Sequence, residues 1–152
     1  MPVNFEVRQS TIGDLNEVAE IFNQYRIFYG QDSDVERARQ FLFDRYEHRE
    51  SIIFIVQDVL QKRLAGFTQL YPVFSSISLE RSYLLNDLYV QEEYRKQGVG
   101  HLLLEAARDY TAQMRGKGLE LATALDNERA QRLYEQHGFV KDEEYLHYFL
   151  KV

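Results

Sequence analysis

The chain has 152 residues, 45% of them hydrophobic, a length and composition that suit one globular domain with a proper core and exclude a disordered chain. It has no cysteine, which excludes disulfides, thiol nucleophiles and cysteine-ligated metals. A net charge of −6 argues against nucleic acid as a partner and for cationic ligands.

No run of 18 apolar residues is present, so no spanning helix and no membrane partner is expected. The opening MPVNFEVRQS lacks an apolar h-region, so a secretory signal is not expected and a cytoplasmic location is. No repeat or Pro/Ser-rich linker divides the sequence, which reads as a single domain over residues 1–152.

Phe5 to Gln9 alternates and predicts a short strand. Thr11 and Asp14 form a weak capping box for a first helix with the stripe Leu15, Val18, Phe22, Tyr25 and Tyr29. Ser33 and Glu36 form a clearer box for a second, with Val35, Ala38, Leu42 and Tyr46. Three strand-like runs follow at 51–57, 63–74 and 82–90, separated by short turns as in an antiparallel meander. Pro72 marks an edge or a bulge in the second run.

A third helix begins near Val99, with Leu102, Leu103, Ala106, Tyr110 and Met114 on one face, and ends at Gly116 and Gly118. A buried strand is expected in LELATAL (119–125). A fourth helix, capped by Asp126 or Asn127, carries Ala130, Leu133, Tyr134 and His137 inward and stops at Gly138. Phe139 onward, closing with EYLHYFLKV, reads as the last strands. The order β-α-α-β-β-β-α-β-α-β-β is an α/β (α+β) arrangement, a mixed and mostly antiparallel sheet with about four helices packed on it.

The start of the third helix is unusual. A helix N-terminus favours Asp, Glu, Ser or Thr, because its exposed N–H groups and dipole attract negative partners. Here Arg95, Lys96, Gln97, Gly98, Val99, Gly100 and His101 stand at that place, and Glu92 and Glu93 lie further upstream. A strand, a basic glycine-containing turn and a helix make a phosphate cradle, with the missing anion supplied by a ligand. A Walker loop fails, because His101 and Leu102 follow Gly100. A Rossmann fingerprint fails at Leu103.

The stretch LLNDLYVQEEYRKQGVGHLLLEAARDYT resembles the acetyl-CoA-binding motif of the GNAT superfamily of N-acetyltransferases, Arg/Gln-x-x-Gly-x-Gly/Ala, matched by Arg95, Gly98 and Gly100. ALDNERAQRLYEQHGF is similar to a second motif of that family through Asn127, Ala130, Tyr134, Gly138 and Phe139. The stretch YRIFYGQ…ESIIFIV resembles a histone-acetyltransferase-like branch, and diamine-type members are the other point of comparison.

The resemblance implies acetyl-CoA as co-substrate, with no metal. Its pyrophosphate would lie on the turn through Gly98 and Gly100 beside Arg95 and Lys96, with Gln97, Val99 and His101 in the same cradle. Leu88, Tyr89 and Val90 match the strand that pairs with the pantetheine arm. Asn127 matches a pantetheine-bonding side chain, and Tyr134 the acid that protonates the coenzyme A thiolate.

Diamine-type relatives carry a glutamate where this chain has Asn86, which cannot act as a base. Asp87 is next but turns to the other face of a regular strand. A water relay through Asn86, Asp87 itself and bulk solvent all stay open as the route for the proton. Tyr25, Tyr29, Gln31, Asp32 and Asp34 are candidates to hold a cationic acceptor. The four histidines, His48, His101, His137 and His147, lack metal-ligand spacing.

The expected activity is acetyl transfer to a primary amine of a small molecule or peptide, by direct attack in a ternary complex. The alternative is a non-catalytic acyl-CoA-binding regulatory module on the same fold. Homodimerisation is an expectation by analogy with relatives.

Overall fold

A computed structural model describes residues 4–152. The chain divides into two compact units, one ending at Ala122 and the other running Thr123–Val152. The first holds β1 (Phe5–Gln9), α1 (Leu15–Phe28), α2 (Val35–Glu47), β2 (Ile52–Asp58), β3 (Arg63–Ser75), β4 (Glu80–Val90), α3 (Val99–Gln113) and β5 (Leu119–Glu120). The second holds α4 (Glu128–Gln136). The sheet order is β1-β2-β3-β4-β5, antiparallel except for the parallel β4–β5 pair.

The apolar run in β2 is continuous because both of its faces are covered. Ile53 and Ile55 join Val18, Phe22, Ala38, Leu42 and Phe67 under α1 and α2. The alternate residues Phe54 and Val56 pack with Ala65, Tyr94, Val99 and Leu103 under α3. Strand period two thus sends α1 and α2 to one face and α3 to the other. On α3 the buried side is Val99, Leu103, Leu104, Ala107 and Thr111, rotated from the expected stripe, and Met114 is exposed.

Local caps agree in part with expectation. Asp14 accepts from the Thr11 N–H at 2.8 Å and takes a two-pronged ion pair from Arg8, at 2.9 and 2.7 Å, which holds its carboxyl below the usual range. The cap of α2 is Asp34, which accepts from the Arg37 N–H, and not Ser33. Ser33 instead accepts from buried Asn23, whose carbonyl oxygen takes the Asp34 N–H. Pro72 lies beyond Leu70, where β3 has left β2 and pairs with β4 alone, so its missing N–H breaks no ladder on that side.

The expected buried strand 119–125 shrinks to Leu119–Glu120, and Leu125 is 98% exposed. The strands expected from Phe139 onward are not formed among the described residues. Alternating apolar residues supply strand propensity but no hydrogen-bonding neighbour, and β5 finds one only at Tyr83 and Leu84.

Two irregularities shape the sheet. Val56 pairs with Gly66 and Gln57 with Leu64, so Ala65 is an extra residue in β3. Gln69 pairs with Asp87 and Leu70 with Leu85, so Asn86 is an extra residue in β4. Gly66 lies where α3 meets the sheet. A Cβ there would come within 2.8 Å of the Tyr89 carbonyl oxygen and 3.0 Å of Val99 Cγ1. Gly66→Ala is therefore expected to destabilise the protein by about 1–3 kcal/mol through overpacking. Urea unfolding measures this, and an unchanged midpoint would show that α3 has room to shift.

Candidate active site

β4 carries one set of predicted residues to each of its faces. Leu88 and Val90 lie on the α3 side, and Tyr89 on the α1 side. Asp87 lies opposite Gln69, and Tyr89 opposite Phe67, which places Asp87 and Gln69 toward α1. Regular alternation would separate the side chains of Asn86 and Asp87. The bulge at Asn86 brings them together, and the Asn86 amide donates to Asp87 Oδ1 at 3.1 Å.

Asp87 is 4% exposed and has two further donors. Gln69 Nε2 reaches Oδ2 at 2.5 Å, and the Tyr25 hydroxyl also bonds to the carboxylate. Burial raises the carboxyl pKa, and the three hydrogen bonds oppose that rise. The same burial, with the negative charge of Asp87 beside them, pushes the Tyr25 hydroxyl well up and the Tyr71 hydroxyl to about 12. Gln69 is fully buried, and its Oε1 has no partner among the described residues. An unpaired buried acceptor of this kind costs about 1–3 kcal/mol.

Aromatic rings wall this cluster. Tyr25 meets Phe67, Tyr89 and Tyr29 edge to face at 5.6, 6.0 and 5.1 Å. Of the predicted acceptor residues the structure brings Tyr25 to Asp87, with the half-exposed Tyr29 against Tyr25. Gln31 and Asp32 are exposed, and Asp34 is committed to its cap.

Beyond Val90 the chain makes one 3₁₀ turn, Glu92–Tyr94, before α3. That turn is anchored on all sides. The Tyr94 hydroxyl donates to Asp58 Oδ2 at 2.7 Å, Gln91 N–H bonds to the Ala65 carbonyl, and Glu93 pairs with Arg63. Arg95 donates to the Val90 carbonyl at 3.0 Å, and its guanidinium stacks on Phe28 and Tyr89 at 5.3 and 5.7 Å. Gln97 donates to the Glu93 carbonyl.

Lys96 and Gly98 both take left-handed backbone, φ 63° and 85°. Gly98 is the N-cap of α3 and supplies no side-chain bond, and no acidic residue stands in the first turn. No backbone acceptor among the described residues takes the Val99 or Gly100 N–H. Gly98 thus gives the helix start no side-chain cap. Within the first unit, among the described residues, β5 pairs with β4 only at Tyr83 and Leu84, and β4 from Leu85 onward pairs with β3. Within the first unit, that strand edge leads to the α3 terminus.

The sequence model of the Acetyltransferase (GNAT) family matches residues 15–139. The chain belongs to that family. It is 46% identical over 146 residues to an uncharacterized N-acetyltransferase, YhfO, of Bacillus subtilis (strain 168), covering 96% of this chain and 97% of the other. A crystal structure of a probable acetyltransferase superposes with a TM-score of 0.92 at 41% identity, over 97% of each chain. The fold is also shared with an aminoglycoside N-acetyltransferase solved in complex with CoA, with a TM-score of 0.79 at 16% identity, over 100% of this chain and 98% of that one. The mixed sheet and four helices are thus the GNAT fold, and the chain is a GNAT-family acetyltransferase.

In the second unit, Asn127 caps α4 by accepting from the Ala130 N–H at 3.2 Å, which occupies its carbonyl end. Tyr134 lies on α4 with its ring against Phe139 at 5.8 Å. His48 and His137 are helix C-caps, His101 lies in α3 and His147 pairs with Asp142. Among the described residues no group of three or more His, Cys, Asp or Glu is arranged to hold a metal, and no helix is long and apolar enough to cross a membrane.

Gln69, Tyr71, Gly66 and the bulge were not predicted. The one signal for Gln69 was a lone amide in the apolar run RLAGFTQLYPVF. The raised Asp87 carboxyl has a stability consequence. Its charged form is penalised only in the folded state, so the cost is present above its folded pKa and vanishes below the ordinary value of about 3.9. Relative to wild type, Asp87→Asn is expected to gain melting temperature as pH rises from about 4 through that titration. A difference that stays flat with pH would mean the carboxyl titrates normally.

Proposed function

We propose that the protein transfers the acetyl group of acetyl-CoA to a primary amine of a small molecule or peptide, in one ternary complex. The N-terminus of α3, without a side-chain cap from Gly98 and standing at the end of the β4 edge, carries this reading. A diphosphate there would take the backbone N–H groups of the turn from Gly98 to Gly100, with Lys96 adding charge and Val99 and His101 in the first turn. Arg95, held by Val90 and the two rings, and Gln97, held by Glu93, would fix the turn's shape. The pantetheine arm would pair with the backbone of Leu88, Tyr89 and Val90. Asn127 would offer it the amide nitrogen, because the cap uses the oxygen.

The amine must lose a proton before it attacks. At pH 7 an amine with a pKa of about 10.4 is neutral about once in 2,500, a barrier of roughly 4.6 kcal/mol. Asp87 supports the base role through its raised pKa and its aromatic surroundings, which also suit a cation. Asn86 would hold its Oδ1 in place. Tyr134 is the acid for the departing thiolate in this proposal.

Free-thiol release tests it over a panel of polyamines, amino acids, aminoglycosides and N-terminal peptides. Acetyl-CoA binding without turnover on any of them would defeat it. On an active acceptor, Tyr134→Phe should lower kcat by about tenfold or more and leave acetyl-CoA affinity nearly intact. Unchanged kcat would remove Tyr134 from the acid role.

At Gly98 a side chain has space, since no atom lies within 4 Å of a built Cβ, but φ of 85° strains a β-branched residue. Gly98→Val should therefore weaken acetyl-CoA binding sharply in calorimetry, and Gly98→Asn much less. Equal wild-type affinity in both would place the diphosphate elsewhere.

A further inference from the structure

Gln69 is the residue of the Asp87 cluster with an unanswered group. It stands directly across the β3–β4 ladder from Asp87 and is fully buried, and its amide nitrogen meets Oδ2 at 2.5 Å. Its carbonyl oxygen, also buried, has no partner among the described residues. An amide is the one side chain whose two ends are a donor and an acceptor of nearly the same shape. In the observed orientation it suits a carboxylate, which only accepts. Turned by half a revolution about its last bond, it would present Oε1 to Asp87, which suits a carboxyl that carries a proton and must donate it.

We propose that Gln69 is the positioning residue for proton transfer in this site: its amide donates to Asp87 while the carboxylate is charged, and turns over to accept from it once the acceptor's proton has arrived. This rests on the base role of Asp87 given above.

The remaining partners fit such a cycle. The Tyr25 hydroxyl donates to the carboxylate and can equally accept, whereas the Asn86 amide nitrogen only donates and keeps Oδ1 fixed. The proton therefore belongs on Oδ2, the oxygen that faces Gln69. The groups around Asp87 are Tyr25 and, beside it, Tyr29 from α1, and Tyr71 from β3; Arg45 of α2 acts on Tyr71. Burial holds Tyr25 and Tyr71 protonated, and the Asp87 carboxyl, itself raised by burial, loses its proton at lower pH than either hydroxyl.

The protons balance. The ammonium gives one proton to Asp87 Oδ2, and the freed amine forms the C–N bond to the acetyl carbon. The C–S bond then breaks. The second amine proton replaces the one Tyr134 gives to the coenzyme A sulfur. Asp87 returns its proton to solvent, and the amide turns back. One proton is released per turnover.

The experiment follows the Asp87 carboxyl directly, by carbon NMR of the full chain labelled with 13C-aspartate and assigned with Asp87→Asn. The Gln69 side-chain NH2 is followed in the same pH titration of the wild-type protein. Expected is a Gln69 NH2 signal that shifts with the Asp87 midpoint, and a midpoint about one pH unit higher in Gln69→Leu, because the charge-assisted bond lost from the carboxylate is stronger than the neutral bond lost from the protonated carboxyl.

With spermidine, or whichever amine of the panel is turned over, the acid limb of kcat/KM should move by the same amount. At the wild-type midpoint that lowers kcat/KM several-fold, and acetyl-CoA affinity is unchanged. If Gln69→Leu does not fold, Gln69→Met serves for the shifted midpoint, and the wild-type NH2 titration needs no variant. An Asp87 midpoint unmoved by the substitution, or a Gln69 NH2 blind to it, overturns the inference. A carboxyl that shifts as expected while the kinetic limb stays put instead overturns Asp87 as the base and leaves its coupling to Gln69 intact.

Discussion

One extra residue in β4 governs the geometry of this site. Had β4 stayed in register with β3, Asn86 and Asp87 would have pointed to opposite faces, one toward α3 and the other toward α1. The bulge at Asn86 breaks that alternation, and the two side chains meet at 3.1 Å. It also seats Asp87 directly across from Gln69, so the buried carboxylate has donors from its own strand, the next strand and α1. Without those donors a carboxylate this deeply buried would hold its proton far more tightly.

The same strand separates two tasks. Within the first unit its edge beyond Leu84 runs toward the start of α3, while its α1 face carries the carboxylate and the aromatic wall. Gly66 joins the two. Only a residue without Cβ lets the Tyr89 carbonyl of β4 and the Val99 and Leu103 side chains of α3 all come this close to the β3 backbone. Arg95 couples the sides again, since its guanidinium lies on Phe28 and Tyr89 while its Nε holds the Val90 carbonyl.

Charge is distributed with the same economy. The turn before α3 offers cations where most helices offer an anion, and one of its two glutamates, Glu93, is drawn off to Arg63. On the α1 face the balance is reversed. There the Asp87 carboxylate lies among hydroxyls and amides, its partners among the described residues being Gln69, Tyr25 and Asn86.

Much of this was legible beforehand. Phe5–Gln9, the three meander strands, the helices and the Arg95–Gly100 turn follow from local periodicity, caps and glycine placement, because each depends on neighbours within a few residues. The matches to the two GNAT motifs fixed the family for a similar reason: their glycine, asparagine and tyrosine spacings are local. What depends on pairing between distant segments was not legible. LELATAL and EYLHYFLKV have strand-like composition, yet β5 is two residues long and no strand forms after Phe139 among the described residues.

Ser33 looked like a cap until Asn23, ten residues away, claimed it. Gln69 carried no reading at all until its partner Asp87, 18 residues on, was in view. By itself, then, the sequence determined the helices and the first four strands, the family and the basic glycine turn. Only the tertiary structure decided where the bulge falls, what faces Asp87 and how closely α3 approaches β3, because ladder register and burial are set by residues far apart in the chain.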